Sequence, residues 1–401
     1  MKKSIALLLA AMAVVTVAEA AAIQQADETK PQRIVTFVKE EHTPEWYAQQ
    51  AKLWRRVTER EPKNEEAWME LYQASRYRIM FTDEDYSPLA DIWRAMRKAV
   101  PGSYADYVLT YLHSKFVGFH DWGPEAQEEG LEQIMRNMVK AVRMKPDEVE
   151  AYPDYVACLM QTGDTELLDD ILKRWYESGT YSASLLNYAY NELAGLPDNA
   201  VIFTNGDTDT YSKLILQGGK GLFRGVKVVC APMLWSAHYR ETVCRELGIP
   251  VCETPSGTTQ EEYDAWEERA ELHIIRQTGR PAYFGAGAKR QPSFGDKLYS
   301  EGLVSRYSER RYDNLSVKQR NYESRYLVDY LYETFVPETY EASAYRLNLN
   351  YIPCLKSLLD WYKEHNKERY RELNGMMMTI LRRTENVPDE KLQSYYDEIN
   401  R

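Results

Sequence analysis

The chain has no Cys-x-x-Cys pair, and only 6 histidines and 5 cysteines in 401 residues. This excludes zinc-ribbon and thioredoxin-like sites. Basic residues are in the minority: 50 Lys and Arg against 61 Asp and Glu leave a net charge of −11. That balance argues against a nucleic-acid partner, because phosphate binding needs a basic face. Phenylalanine is scarce too, 9 residues against 31 tyrosines. What is present is ample core material, 44% apolar with 28% charged, which is the balance of a globular chain. The length predicts two or three folded units.

A long apolar run occurs once. Lys2 and Lys3 precede Ile5 to Val17, a stretch broken only by Thr16, and Ala18-Glu19-Ala20 supplies small residues for cleavage. The pattern predicts a signal peptide over 1–20 and a linker over 21–42. The run is shorter than the roughly 20 apolar residues of a membrane span, and no cysteine stands at the junction to accept a lipid. The expectation is an exported, periplasmic protein, peripheral to the envelope, neither a lipoprotein nor membrane-spanning after cleavage. Cys158, Cys230, Cys244, Cys252 and Cys354 all follow the cleavage site, and their odd number leaves at least one unpaired in a monomer. Cys244 and Cys252 are close enough in sequence to pair, but a chain of this length does not need disulfides. Buried thiols are the expected state.

From Thr43 to Gly195 the pattern is helical, with Pro- and Gly-marked turns, and it repeats. Pro62, Pro101 and Pro146 each follow a helical run. Eight residues before them stand Trp54, Trp93 and Met138; five before, Val57, Met96 and Ala141; six after, Trp68, Tyr107 and Tyr152. Each unit is a helix pair that needs a neighbour to bury its face, and the aromatics are expected to be packing residues. The pattern resembles the tetratricopeptide repeat. Glu66 to Tyr72 matches the start of its first helix, Met138, Ala141 and Pro146 the end of its second, and Gln161-Thr162-Gly163-Asp164 the turn between helices. Proline spacings of 39 and 45 depart from the family's 34, so a regular superhelix is not implied.

After Pro197 the period changes. Four short runs, Ala200–Thr204, Val226–Pro232, Pro250–Cys252 and Pro281–Phe284, alternate with helical stretches at Tyr211–Leu216, Ala237–Leu247 and Gln260–Gln277. This predicts a small α/β domain over 197–306, with a mainly parallel sheet covered on both faces. From Tyr307 the chain returns to helix, with a final pair over Leu347–His365 and Glu368–Arg383. The fold class is therefore multidomain: tetratricopeptide-like hairpins over 43–195, the α/β domain, and a C-terminal helical region over 307–401. Tyr322, Tyr326, Tyr330, Tyr332 and Tyr340 crowd the segment leaving the α/β domain and are the expected contact surface.

The sharpest local feature is Thr204-Asn205-Gly206-Asp207-Thr208-Asp209-Thr210, between the first strand and its helix. Ligands bind at the carboxyl ends of parallel strands, so Asn205, Asp207, Asp209 and Tyr211 are the candidate ligand-binding residues. Two carboxylates at i and i+2 suit a divalent cation; equally, they suit capping of the helix N-terminus beside an Asn-Gly turn. No catalytic residue and no cofactor is assigned beyond that candidate cation.

Ala200 to Tyr211, with Gly225–Val229, Arg280–Phe284 and Tyr299–Val304, resembles the soluble C-terminal region of bacterial membrane proteins related to protein O-mannosyltransferases. In those proteins glycosyl transfer is assigned to the membrane-embedded part. The resemblance therefore implies a shared accessory domain, without the transferase activity. Other signatures fail. Gly218-Gly219-Lys220-Gly221 lacks the Ser or Thr of a P-loop, Arg290 stands where a dinucleotide fingerprint needs glycine, and His113 with His120 is too few ligands for a metal. The leading expectation is a non-catalytic scaffold or binding protein of the bacterial cell envelope, accessory to glycan or glycoprotein processing, whose partner is an envelope protein or a glycan. The alternative is a soluble sugar- or nucleotide-sugar-binding protein or enzyme using the Asp207/Asp209 loop.

Overall fold

A computed structural model describes residues 30–115, 124–256, 259–289, 291–336, 338–385 and 391–400. The signal-peptide segment 1–20, the first part of the linker and His120 lie outside these residues. The chain divides into two compact units, 1–147 and 148–401. The boundary expected at 195–197 lies inside the second.

The first unit is helical: α1 (Pro44–Arg60), α2 (Glu65–Thr82), α3 (Leu89–Ala99), α4 (Tyr104–His113) and α5 (Pro124–Met144). Polar side chains set the starts. Thr43 accepts from Trp46 N–H, Asn64 from Ala67 N–H and Ser103 from Asp106 N–H, each satisfying an amide that the helix cannot. Pro62 and Pro101 stand in the breaks between helices. The aromatic six residues after Pro62 closes its turn directly: the Trp68 indole donates to the Pro62 carbonyl at 2.9 Å. His113 stacks on Trp93 at 4.3 Å, and burial lowers its pKa to about 4, so it is a neutral packing residue.

The second unit opens with α6 (Tyr152–Thr162), α7 (Thr165–Glu177) and α8 (Ala183–Leu193). A five-stranded sheet follows: β1 (Val201–Thr204), β2 (Lys227–Cys230), β3 (Ala282–Gly285), β4 (Leu298–Ser300) and β5 (Val304–Tyr307), in the order β2-β1-β3-β5-β4. β1 is parallel to both β2 and β3, whereas β5 is antiparallel to β3 and to β4. The sheet is therefore mixed, which corrects the mainly parallel expectation. Only Glu301, Gly302 and Leu303 separate β4 from β5, and a connection so short permits only an antiparallel pair. The strand expected at Pro250–Cys252 does not form. Pro250 at its start and Pro255 just beyond it lack ladder N–H groups, and among the described residues this segment joins no strand.

Helix α9 (Asp207–Lys220) links β1 to β2, while α10 (Ala237–Leu247) and α11 (Gln260–Thr278) link β2 to β3. Because β2 and β3 flank β1 on opposite sides, right-handed crossovers send these two connections to opposite faces of the sheet. One face buries Ile202, Val228, Tyr283 and Val304 against Ala189 and Leu193 of α8 and Leu216 of α9. On the other, Phe203 stacks on Phe284 at 4.9 Å.

The C-terminal region, α12 (Asn314–Ser324), α13 (Glu341–Asn348), α14 (Tyr351–His365), α15 (Lys367–Thr384) and α16 (Leu392–Asn400), forms its own apolar cluster with Tyr188 of α8. Asn191, fully buried on the same helix, donates to the Leu327 carbonyl at 2.9 Å and accepts from the Leu327 N–H at 2.7 Å. Helix α8 is thus fixed to the sheet along one side and to the C-terminal helices along the other. The tyrosine cluster expected to be a contact surface is largely core: Tyr326, Tyr330 and Tyr340 are buried, and Tyr332 is exposed. The Tyr326 hydroxyl accepts from Leu303 N–H at 2.9 Å and so clamps the β4–β5 turn.

That turn depends on Gly302, whose φ is +115° and whose missing Cβ would lie 2.2 Å from the Tyr326 hydroxyl. Gly302→Ala combines backbone strain with overlap, and the expected loss is at least about 2 kcal/mol. Urea denaturation of the two proteins measures it. A change within noise would show that the turn moves freely.

Candidate functional site at the carboxyl edge of the parallel strands

β1 and β3 are parallel neighbours, and in open α/β sheets ligands bind beyond the carboxyl ends of such strands. Two loops meet there. The first, Asn205–Gly206, leads into α9; the second, Ala286–Gly287, follows β3, and the Asn205 side-chain amide donates to the Gly287 carbonyl at 3.4 Å.

Beneath both loops lies a buried charge cluster. The Lys213 ammonium, fully buried on α9, bonds the carboxylates of Asp209 and Glu192 and also donates to the Asp209 backbone carbonyl at 2.9 Å. Each carboxylate spends its remaining oxygen on one of the loops. Asp209 Oδ2 accepts from Asn205 N–H at 2.8 Å, and Glu192 Oε1 accepts from Ala286 N–H at 2.9 Å. One cation therefore ties the first loop to the second through two acids. Burial raises the Glu192 carboxyl to about 7 against the pull of Lys213. Burial opposes the Lys213 ammonium, yet Asp209 and Glu192 hold its pKa above the ordinary lysine value. Gly285 makes room for the cluster, since a Cβ there would stand 3.0 Å from Glu192 Oε1 and 3.5 Å from both Asp209 carboxylate oxygens.

The four sequence candidates separate. Asn205 and Asp207 are exposed at the rim, whereas Asp209 and Tyr211 are buried. Tyr211 packs against Trp175 with ring centres 5.8 Å apart. Asp207 and Asp209 thus present no shared cation clasp, because both Asp209 oxygens are committed inward to Lys213 and the Asn205 amide. Among the described residues no group of three His, Cys, Asp or Glu side chains is placed to hold a metal. Lys213 and Glu192 are not singled out by the sequence, which offers the second loop, Gly285-Ala286-Gly287, only as a dinucleotide fingerprint that fails at Arg290. The Asp209–Lys213 spacing of four was a legible signal; Glu192 sits on the preceding helix, where only the fold brings it near.

The end of β2 adds an aromatic feature. Trp235, 44% exposed, follows the turn that leaves the strand. Its ring lies 5.1 Å from Tyr263 and 5.7 Å from the buried Trp266 of α11. The Tyr263 hydroxyl donates to Glu267 at 3.3 Å, and Lys289, after β3, pairs with Asp264 at 2.6 Å. A half-exposed indole held by an edge-on contact to Trp266 and a tilted one to Tyr263, with charged and amide groups around the same sheet edge, is suited to contact with a flat apolar face.

No family model matches the chain and no curated protein matches it. Among the described residues no helix is long and apolar enough to cross a membrane.

Proposed function

We propose that the chain is a non-catalytic binding protein of the bacterial cell envelope, in which the carboxyl edge of the sheet receives the ligand and the helical hairpins of residues 43–195, read as tetratricopeptide-like, serve as scaffold. The observation that carries this reading is the Asp209–Lys213–Glu192 cluster. It turns the one buried acid of the Asp-x-Asp pair inward and uses it to fix two loops, an arrangement that preorganises a binding edge rather than presenting a reacting group. The envelope location rests on the N-terminal sequence pattern, and accessory participation in glycan or glycoprotein processing rests on the resemblance of residues 200–304.

A second reading, a sugar-binding site, is favoured by Trp235. Asp207 at the rim disfavours a phosphate, so a neutral saccharide fits better than a nucleotide sugar. One set of experiments tests both. A photo-crosslinker at position 235 is expected to capture a specific envelope partner that the same group at Arg371, exposed on α15, does not. Tryptophan fluorescence titrations with mannotetraose, chitotetraose and UDP-glucose then examine the sugar. Saturable quenching by a neutral tetrasaccharide, weakened at least about tenfold by Trp235→Ala with the melting temperature unchanged, supports the saccharide. Turnover of UDP-glucose, or equal capture at both positions with no saccharide response, would overturn the proposal.

A further inference from the structure

We infer that Cys244 and Cys252 are a redox pair which a hydroperoxide closes to an intramolecular disulfide. Their sulfurs lie 3.7 Å apart, both side chains buried, one on α10 and the other on the irregular segment before α11. An S–S bond requires about 2.05 Å. Cys252 supplies the approach, for it belongs to no helix or strand, and its other polar contact is a long one, 3.8 Å to the Ala270 carbonyl. The hydrogen bond between the two sulfurs pulls the Cys244 thiol down against the effect of burial, with His273 and Arg240 adding to it. The Cys252 thiol is raised in turn by Cys244. Cys244, which has both His273 and Arg240 near it where Cys252 has only Arg240, is assigned as the attacking thiolate and Cys252 as the resolving thiol.

The chemistry balances in two steps. The Cys244 thiolate attacks one oxygen of hydrogen peroxide; the S–O bond forms, the O–O bond breaks and hydroxide leaves, giving a sulfenic acid. Cys252 then attacks that sulfur; the S–S bond forms, the S–O bond breaks, and the oxygen departs as water with the Cys252 proton. Two thiols are oxidised and one peroxide is reduced to two waters. Peroxide is small enough to reach a buried pair that a protein oxidant would not reach.

Closure acts on the aromatic edge. Glu253, next to Cys252, accepts the Trp266 indole N–H on its carbonyl at 3.0 Å and pairs with Arg269 through its carboxylate at 2.5 Å. Trp266 supports Trp235. The disulfide would fasten this support to α10, whatever the edge binds.

The test uses the full chain treated with hydrogen peroxide, then alkylated in denaturant and digested with trypsin. Cleavage after Arg240, Arg245 and Arg269 isolates each cysteine on its own peptide. The expected result is a linked pair of peptides, 241–245 joined to 246–269, which dithiothreitol separates, and a melting temperature raised by roughly 5 °C. Cys252→Ser is expected to abolish the link and leave Cys244 as a sulfenic or sulfinic acid. Recovery of both cysteines fully alkylated, Cys244 over-oxidised in the wild-type chain with Cys252 still a thiol, or linkage to Cys158, Cys230 or Cys354 would overturn the inference.

Discussion

Replacing Lys213 with alanine is expected to destabilise the second unit by about 3–5 kcal/mol, because it leaves the Asp209 and Glu192 carboxylates buried side by side with no cation. Both lose a charged partner, and only the Asn205 and Ala286 amides remain to them. Glu192→Gln removes one negative charge and leaves a balanced Lys213–Asp209 pair, so its expected cost stays within about 1.5 kcal/mol. The contrast between the variants is the informative measurement. If the cluster holds the loops as described, Lys213→Ala lowers the urea midpoint far more than Glu192→Gln. Combining Lys213→Met with Glu192→Gln and Asp209→Asn then recovers part of the loss, since no uncompensated charge remains. Equal, small effects from all three would mean that water already enters the site and that the loops are positioned by other contacts.

Helix α10 matches its expected span, Ala237–Leu247, and α11 extends one residue beyond it, because Gly248 and Gly279 mark their ends and Thr259 with Glu262 forms a capping box at the start of α11. Those signals are local. β4 and β5 were missed for the opposite reason: Leu298–Ser300 and Val304–Tyr307 are short and only partly apolar, and their strand character comes from pairing with each other and with β3. Helix was expected to run unbroken over Leu347–His365, whereas the chain breaks between Asn348 and Tyr351. Asp209 was legible as a cap-like acid but not as half of an ion pair with a partner that also bonds Glu192. The aromatic edge was likewise invisible, because Trp235 and Tyr263 are 28 residues apart and meet only when β2 and α11 pack. Excess tyrosine had a plainer cause than a contact surface, since Tyr326, Tyr330, Tyr351 and Tyr362 fill the C-terminal core.

Glu271→Gln is expected to stabilise the protein, by an amount that grows with pH. Glu271 lies on α11 and is 1% exposed, with Oε2 buried and lacking a hydrogen-bond partner among the described residues. Burial, and then the charge of Glu267 one turn earlier, raise its carboxyl from 4.5 to about 9; Gln291 and Lys289 oppose the shift, and Glu268 reinforces it. The folded chain therefore keeps a proton that the unfolded chain has released at any pH between 4.5 and about 9. Across that window each pH unit favours the unfolded state by about 1.4 kcal/mol. Stability contributed by this group is present in full below pH 4.5 and declines as pH rises toward 9. Glutamine fills the same space, carries no titrating proton and avoids the penalty, so at pH 7 its advantage over the wild type exceeds that at pH 4.5 by roughly 3 kcal/mol. Urea denaturation of both proteins at intervals of about one pH unit, from about pH 5 to about pH 8, measures the difference. Glu271→Ala is the control, because it opens a cavity that lowers stability at low pH yet flattens the same slope. If the wild-type and Gln curves run parallel, Glu271 is ionised in the folded protein, and the neutral carboxyl assigned to this helix face is wrong.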